Sequence, residues 1–216
     1  MIRETLVQAY ETAVAQEAPR AASSIGEISP LGLVYFPDDV LKKVCAPVVE
    51  VTEEIKQLAR DMILTMMLEG GVGLAAPQVG KLIQMFVVDI QYPEDLDRAD
   101  PHIFINPEIE IVEGSERILR AEGCLSFPGG RARVERYQSI RVKHLDGDGN
   151  PTVTEADDFL ARVIQHERDH LDGVTIQGSI SSFDMMTVRK NIQAKMRSRK
   201  REANPQRHPK NGRKRS

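Results

Sequence analysis

The stretch from Val163 to Leu171, VIQHERDHL, constrains this chain more than any other feature. Phe159, Leu160, Val163, Ile164 and Leu171 predict the buried side of a helix. Thr154 is its expected N-cap, with Asp157 three residues on, and Asp172-Gly173 its expected end. His166 and His170 are four apart, so on that helix they project from one face about one turn apart and can bind the same ion. Glu167 lies beside them, facing the same cavity. Imidazoles next to a buried stripe are costly unless liganded or hydrogen-bonded. The pattern therefore predicts a central helix whose histidines hold a metal ion.

Other segments supply the layers around that helix. Apolar residues at Ile55, Leu58, Ala59, Met62, Ile63, Met66 and Met67 predict an amphipathic helix ended by Gly70-Gly71. Its methionines, at helical spacing, read as core packing. Short β-branched runs at 83–90, 102–107, 108–114 and 139–145 predict strands, and DGDGNP (146–151) a turn. A last amphipathic helix is expected from near Asp184, with Met185, Val188, Ile192 and Met196 as its stripe. The order of helix, strands, then helix argues for an α+β fold: antiparallel or mixed sheets packed around the HExxH helix, with a C-terminal helix. The expected organisation is an arm at 1–33, outside the core with one short helix around Glu4 to Ala15, a catalytic domain at 34–183, and a C-terminal helix with a basic tail at 184–216.

Composition excludes several classes. The chain has 216 residues, 41% hydrophobic and 28% charged, and no apolar run approaches the length of about 18 residues that a membrane span needs. Two cysteines, Cys45 and Cys124, provide no disulfide framework, and the N-terminus lacks the apolar core of a secretory signal. A cytoplasmic location is expected. The net charge of −3 hides an asymmetry: residues 189–216 hold 12 Lys/Arg against one acid, Glu202, leaving 17 Lys/Arg against 31 acids before them. Such a tail is drawn to polyanions.

A catalytic zinc-type site needs a third protein ligand and leaves a fourth position for water. Cys124, in EGCLS, is the best candidate. Cys45, His102 and His144 read as structural and His208 as solvated. The run GGVGLAAPQ (70–78) offers small residues that let a ligand's backbone approach closely. Its spacing matches neither a P-loop nor a dinucleotide fingerprint.

Three motifs in this order, GVGLAAPQ (71–78), EGCLS (122–126) and QHERDHL (165–171), resemble the signature of the peptide deformylases, and the resemblance extends over roughly residues 30–185. It implies removal of the N-formyl group from the formyl-methionine end of new polypeptides, releasing formate. By resemblance, Cys124, His166 and His170 hold one divalent metal, Fe(II) in the cell, replaceable by Ni(II), Co(II) or Zn(II). Glu167 then moves protons, while Gln78 and the Leu125 N–H stabilise an oxyanion. Val72, Gly73, Gly123, Leu125, Val163 and His166 line the pocket for a peptide bound as an added strand. Glu122 is expected to pair with Arg131 or Arg136. Some deformylases of this kind carry a basic C-terminal helix that docks on the ribosome, and the tail here invites the same expectation; no membrane or DNA partner is indicated.

Two other readings compete. A zinc endopeptidase also carries HExxH, but its usual third ligand lies downstream, where the only His after His170 is His208. A non-catalytic RNA-binding protein with a structural metal would fit the tail, yet it has no use for Glu167 or Gln78.

Overall fold

The structure, a computed structural model, describes residues 28–91 and 98–202, with side chains as far as Arg199. The helix expected around Glu4 to Ala15 and the end of the basic tail, His208 included, lie outside these residues. In chain order the elements are helix α1 (Glu53–Glu69), strands β1 (Gly73–Ala75), β2 (Met85–Val88), β3 (His102–Ile111), β4 (Arg117–Glu122), β5 (Ala132–Tyr137), β6 (Ser139–Leu145) and β7 (Pro151–Asp157), then helices α2 (Asp158–Leu171) and α3 (Ser182–Glu202). Strands β1-β2-β3-β6-β7 form an antiparallel sheet in that order, and β4 pairs with β5 in a second, smaller one. The α+β expectation holds, with antiparallel pairing between all named strands.

The five-stranded sheet is covered on both faces at its β1-β2 end. Met85 and Val87 of β2 join the core beneath α1, while Phe86 and Val88 join the core around α2. The same division separates Leu74 from Ala75 on β1 and Ile105 from Phe104 on β3. A strand buried on two faces carries apolar residues continuously instead of alternately, which is why 83–90 reads as one apolar run. Across β2 and β3, Phe86 and Phe104 are direct partners and their rings stack 4.8 Å apart. Helix α1 packs with Met62 and Met66 fully buried, so its methionines are core. It stops where Gly70 turns left-handed at φ 71°, and the Gly70 and Gly71 N–H groups close onto the Met67 and Met66 carbonyls.

Several expectations need correction. The arm joins the core before residue 34: Leu33 is buried, and the Leu31 N–H donates to Thr65 Oγ1 at 2.8 Å. The two strands expected at 102–107 and 108–114 are one strand, β3, whose register shifts between Ile105 and Glu108, and Pro107 sits at that irregularity where no ladder donor is required. Strands β1, β4, β5 and β7 are additional to those expected. Thr154 is not an N-cap: it lies within β7 opposite Val142, and its Oγ1 is 3.0 Å from His144 Nε2. The run Thr152-Val153-Thr154 is β-branched, and β6 offers it a full ladder, so the chain stays extended until Asp157 and enters α2 directly. Phe159 is exposed at the start of α2. On α3 the docking face carries Val188 and Ile192 but leaves Met196 exposed, because the later turns dock through Lys195 and Arg199.

The irregularity in β3 is held by Asn106, whose φ of 51° is left-handed. Its side chain accepts from the Val48 N–H and donates to the Val48 carbonyl, both at 2.8 Å, and so ties the N-terminal segment to the sheet. Asn106→Ala should lower stability by about 2–4 kcal/mol, from two lost hydrogen bonds plus the loss of asparagine's better tolerance of left-handed backbone. Asn106→Gly removes the bonds without the strain and should cost about 1 kcal/mol less. Denaturant midpoints for the two variants check both values, and equal losses would remove strain from the account.

Candidate active site

Three separate elements converge at one end of α2. The helix supplies His166, Glu167 and His170; the turn leaving β4 supplies Cys124; the short 3-10 turn Ala76–Val79 after β1 supplies Gln78. One donor atom each from Cys124, His166 and His170 lies within 4.8 Å of the others. Cys124 Sγ is 3.3 Å from His170 Nε2, and the two imidazole rings stand edge to face with centroids 5.1 Å apart. A soft thiol and two imidazoles at such spacing form a donor set suited to one transition-metal or zinc ion.

The orientation of His166 is set by Glu122, the last residue of β4. An ionised carboxylate only accepts, so His166 Nδ1 donates to Glu122 Oε2 at 3.0 Å and its Nε2 is left to face the cavity. A carboxylate behind a histidine is the usual arrangement for orienting a metal ligand. Glu122 is itself buried and gripped by two arginines: Arg136 donates to both of its oxygens at 3.0 and 3.1 Å, and Arg162 Nη1 donates to Oε1 at 2.7 Å. Burial alone would raise its pKa, but the hydrogen bonds from His166 and Arg136 outweigh that and hold it at about 2. For His166 burial works against the proton, and the hydrogen bonds with Cys124 and Glu122 reverse the sign and raise its affinity for positive charge.

Glu167 lies in a different environment. It is buried at the cleft, and its Oε2 has no hydrogen-bond partner among the described residues. Burial, followed by the pull of His166 and the opposing charge of Glu122, places its pKa at about 7. It can occupy this position because residue 73 is glycine: a Cβ there would lie 2.4 Å from Glu167 Oε1. His170 is depressed well below its ordinary pKa, first by burial and then by the charges of His166 and Arg136, and so stays neutral and able to ligate. Its Nδ1 also has no hydrogen-bond partner among the described residues.

Gln78 is fixed through its oxygen. The Ala75 N–H donates to Gln78 Oε1 at 2.8 Å, which turns the amide nitrogen toward Cys124 Sγ at 3.4 Å and Ser126 Oγ at 3.2 Å. A cleft of about 570 Å³ opens over these groups, and Val72, Gly73, Gly123, Leu125 and Val163 all line it, together with Gln78, Cys124, His166 and Glu167. Of the two arginines expected near Glu122, Arg136 makes the pair and Arg131 lies on the surface at the cleft. Arg162 and Ser126 were overlooked as site residues. Arg162 had a signal, since it stands four residues before His166 on the same helical face. Cys45, His102 and His144 lie outside this group of three donors.

Comparisons with known proteins identify the family. The polypeptide deformylase family matches residues 30–185. Peptide deformylase 1 of Clostridium perfringens is 49% identical over 142 residues, covering 66% of this chain and 92% of the relative. The Mesorhizobium japonicum peptide deformylase is 45% identical over 160 residues, covering 73% and 89%. Among solved structures, the Legionella pneumophila peptide deformylase superposes with a TM-score of 0.69 at 34% identity, covering 80% of this chain and 99% of that one. The Ehrlichia chaffeensis enzyme in complex with actinonin gives 0.67 at 35% identity, covering 77% and 98%. With its matched region taking in all three motifs and every donor of the cleft, this chain belongs to the polypeptide deformylase family.

Proposed function

We propose that this deformylase hydrolyses the formamide of N-formylmethionyl peptides at a single divalent ion held by Cys124, His166 and His170. The observation that carries the reading is the meeting of these three donors beside a buried carboxyl, Glu167, that is not one of them. A bound cation there supplies Lewis acidity, acidifying water and drawing charge from a carbonyl oxygen. Glu167 takes the proton of the attacking water and hands it to the amine as the C–N bond breaks, a role suited to a carboxyl that titrates near neutrality. Gln78 Nε2 and the Leu125 N–H donate to the carbonyl oxygen as it becomes an oxyanion, the kind of contact whose loss costs about a hundredfold or more in rate. Val72, Gly73, Gly123 and Val163 bind the peptide backbone and the methionine side chain. Formate and a free methionyl peptide leave.

Glu167→Ala is expected to keep its metal while losing about 10²–10⁴-fold in turnover. Metal analysis and formate release from formyl-Met-Ala-Ser on one sample, beside an unblocked peptide as the endopeptidase control, measure both. A metal-free variant, or one keeping more than about a tenth of the wild-type rate, contradicts the assigned role.

For the ion itself we favour Fe(II), with Ni(II), Co(II) or Zn(II) as replacements. A thiolate on a redox-active ion invites oxidation of either partner. An Fe(II)-loaded sample should therefore lose activity in air while a Ni(II)-loaded one persists, and equal lifetimes would argue against iron.

No helix among the described residues is long and apolar enough to cross a membrane, and we take the enzyme to work in the cytoplasm, beside the ribosome that produces its substrate. The charge asymmetry supports this, although not all of the basic helix is available: Lys195 pairs with Glu69, and Arg199 donates to the Leu33 carbonyl at 2.9 Å. The docking charge is then that of Arg189, Lys190 and Arg197, exposed on the helix, with Arg207, Lys210, Arg213, Lys214 and Arg215 beyond the described residues. Deleting residues 203–216 should leave turnover of a short peptide unchanged and weaken co-sedimentation with ribosomes in a salt-dependent way. Equal sedimentation of full-length and truncated protein at low salt would end the ribosome reading of the tail.

A further inference from the structure

The two donors assigned to the oxyanion come from separate turns. Gln78 stands on the turn after β1 and Leu125 on the one after β4, and both must meet a single oxygen. Such a pair works only if its spacing is held to within about 0.5 Å. Backbone contacts bring the two turns together. The Val34 N–H donates to the Gln78 carbonyl at 2.7 Å, and two residues on the Phe36 N–H donates to the Ser126 carbonyl at 3.1 Å. One stretch of chain thus takes a carbonyl from each motif. The turn after β4 is itself closed by the Phe127 N–H onto the Cys124 carbonyl at 2.9 Å, which puts Leu125 and Ser126 at its two central positions.

The side chains complete the link. A primary amide carries one oxygen and two N–H donors. The oxygen of Gln78 is taken by the Ala75 N–H at 2.8 Å, and its Nε2 donates to Ser126 Oγ at 3.2 Å. The other N–H is left on the side of Cys124, whose Sγ lies 3.4 Å away. Ser126 is fully buried and does not line the cleft, whereas Gln78 does. Any effect of the serine on the reaction therefore passes through another group. We propose that Ser126 is a positioning residue for the oxyanion: its hydroxyl oxygen holds the Gln78 amide from the same turn that carries the Leu125 N–H, and so fixes the two donors relative to each other. The assignment rests on the deformylase reading above. A buried serine that only filled space would be replaced by alanine with little effect on turnover.

The test is a double-mutant cycle on metal-loaded protein, with kcat and KM for formate release from formyl-Met-Ala-Ser and metal content measured on the same samples. Gln78→Ala removes a donor and should lower kcat by about a hundredfold. Ser126→Ala keeps the donor but no longer aims it, so kcat should fall by about three- to thirtyfold while KM and metal content stay as in wild type. Added to Gln78→Ala, the same substitution should cost nothing further. Ser126→Thr and Ser126→Val match in shape and differ in the hydroxyl, so the threonine variant should exceed the valine variant in kcat by a similar factor, independently of the space that alanine leaves. Wild-type kcat in Ser126→Ala, or equal kcat in the threonine and valine variants, overturns the assignment. So does a full second loss in the double variant, or a loss of metal in step with kcat, since Ser126 would then act on Cys124 or on the fold and not through Gln78. Gln78→Ala at the wild-type rate is a different result, which removes the oxyanion role of Gln78 and this assignment with it, and absence of formate from wild type removes the deformylase reading as well.

Discussion

Glu122 is a carboxylate taken almost wholly out of water, and the site is arranged around meeting its demand for hydrogen bonds. Removing a charge from water costs several kcal/mol, recovered only if the remaining lone pairs are met by well-placed donors. Arg136, Arg162 and His166 meet them from two different elements, β5 and α2. The same network extends outward, since Arg136 also reaches Asp169 at 2.6 Å and Arg162 reaches the Val134 carbonyl at 3.0 Å. The small β4-β5 sheet is thereby joined to α2, and with it the turn that carries Cys124. Electrostatic satisfaction of one buried acid thus aligns two of the three candidate metal ligands.

The second requirement is that the helix carrying the donors be shielded from water, and the large sheet provides this. Ala75, Phe86, Val88, Phe104, Ile140 and Val142 cover the inner side of α2. The opposite face of β1 and β2 is filled by α1. Because β1 is held in the sheet by β2 on one edge and leads straight into the Gln78 turn, the position of the Gln78 amide follows from strand pairing instead of from loop packing.

How much of this could be read from residues alone depended on how each element earns its burial. Helix α1 was legible because its apolar residues recur at helical spacing, and the three site motifs because few other chemistries need Cys, Gln and HExxH together. Strand β5 was not legible, since its inward positions are Ala132, Val134 and Arg136, and an inward arginine breaks the apolar alternation that marks a strand. Strand β4 has an exposed pattern with no stripe at all, and β7 was misread because Thr154 and Asp157 imitate a helix start. The choice between Arg131 and Arg136 could not be settled from residues either: it follows from the register that sets Glu122 opposite Ala132, and the pairing then brings Arg136 inward from the far end of the same strand.

The space left by Gly73 has a consequence for how sequences of this kind can vary. Glu167 lies partly inside the volume that any side chain at position 73 would fill. Two segments far apart in the chain, the glycine-rich run and the HExxH helix, therefore share one volume between them. A larger residue in the first is compatible only with a shorter or displaced carboxyl in the second, so the two motifs form a single steric unit and cannot drift independently.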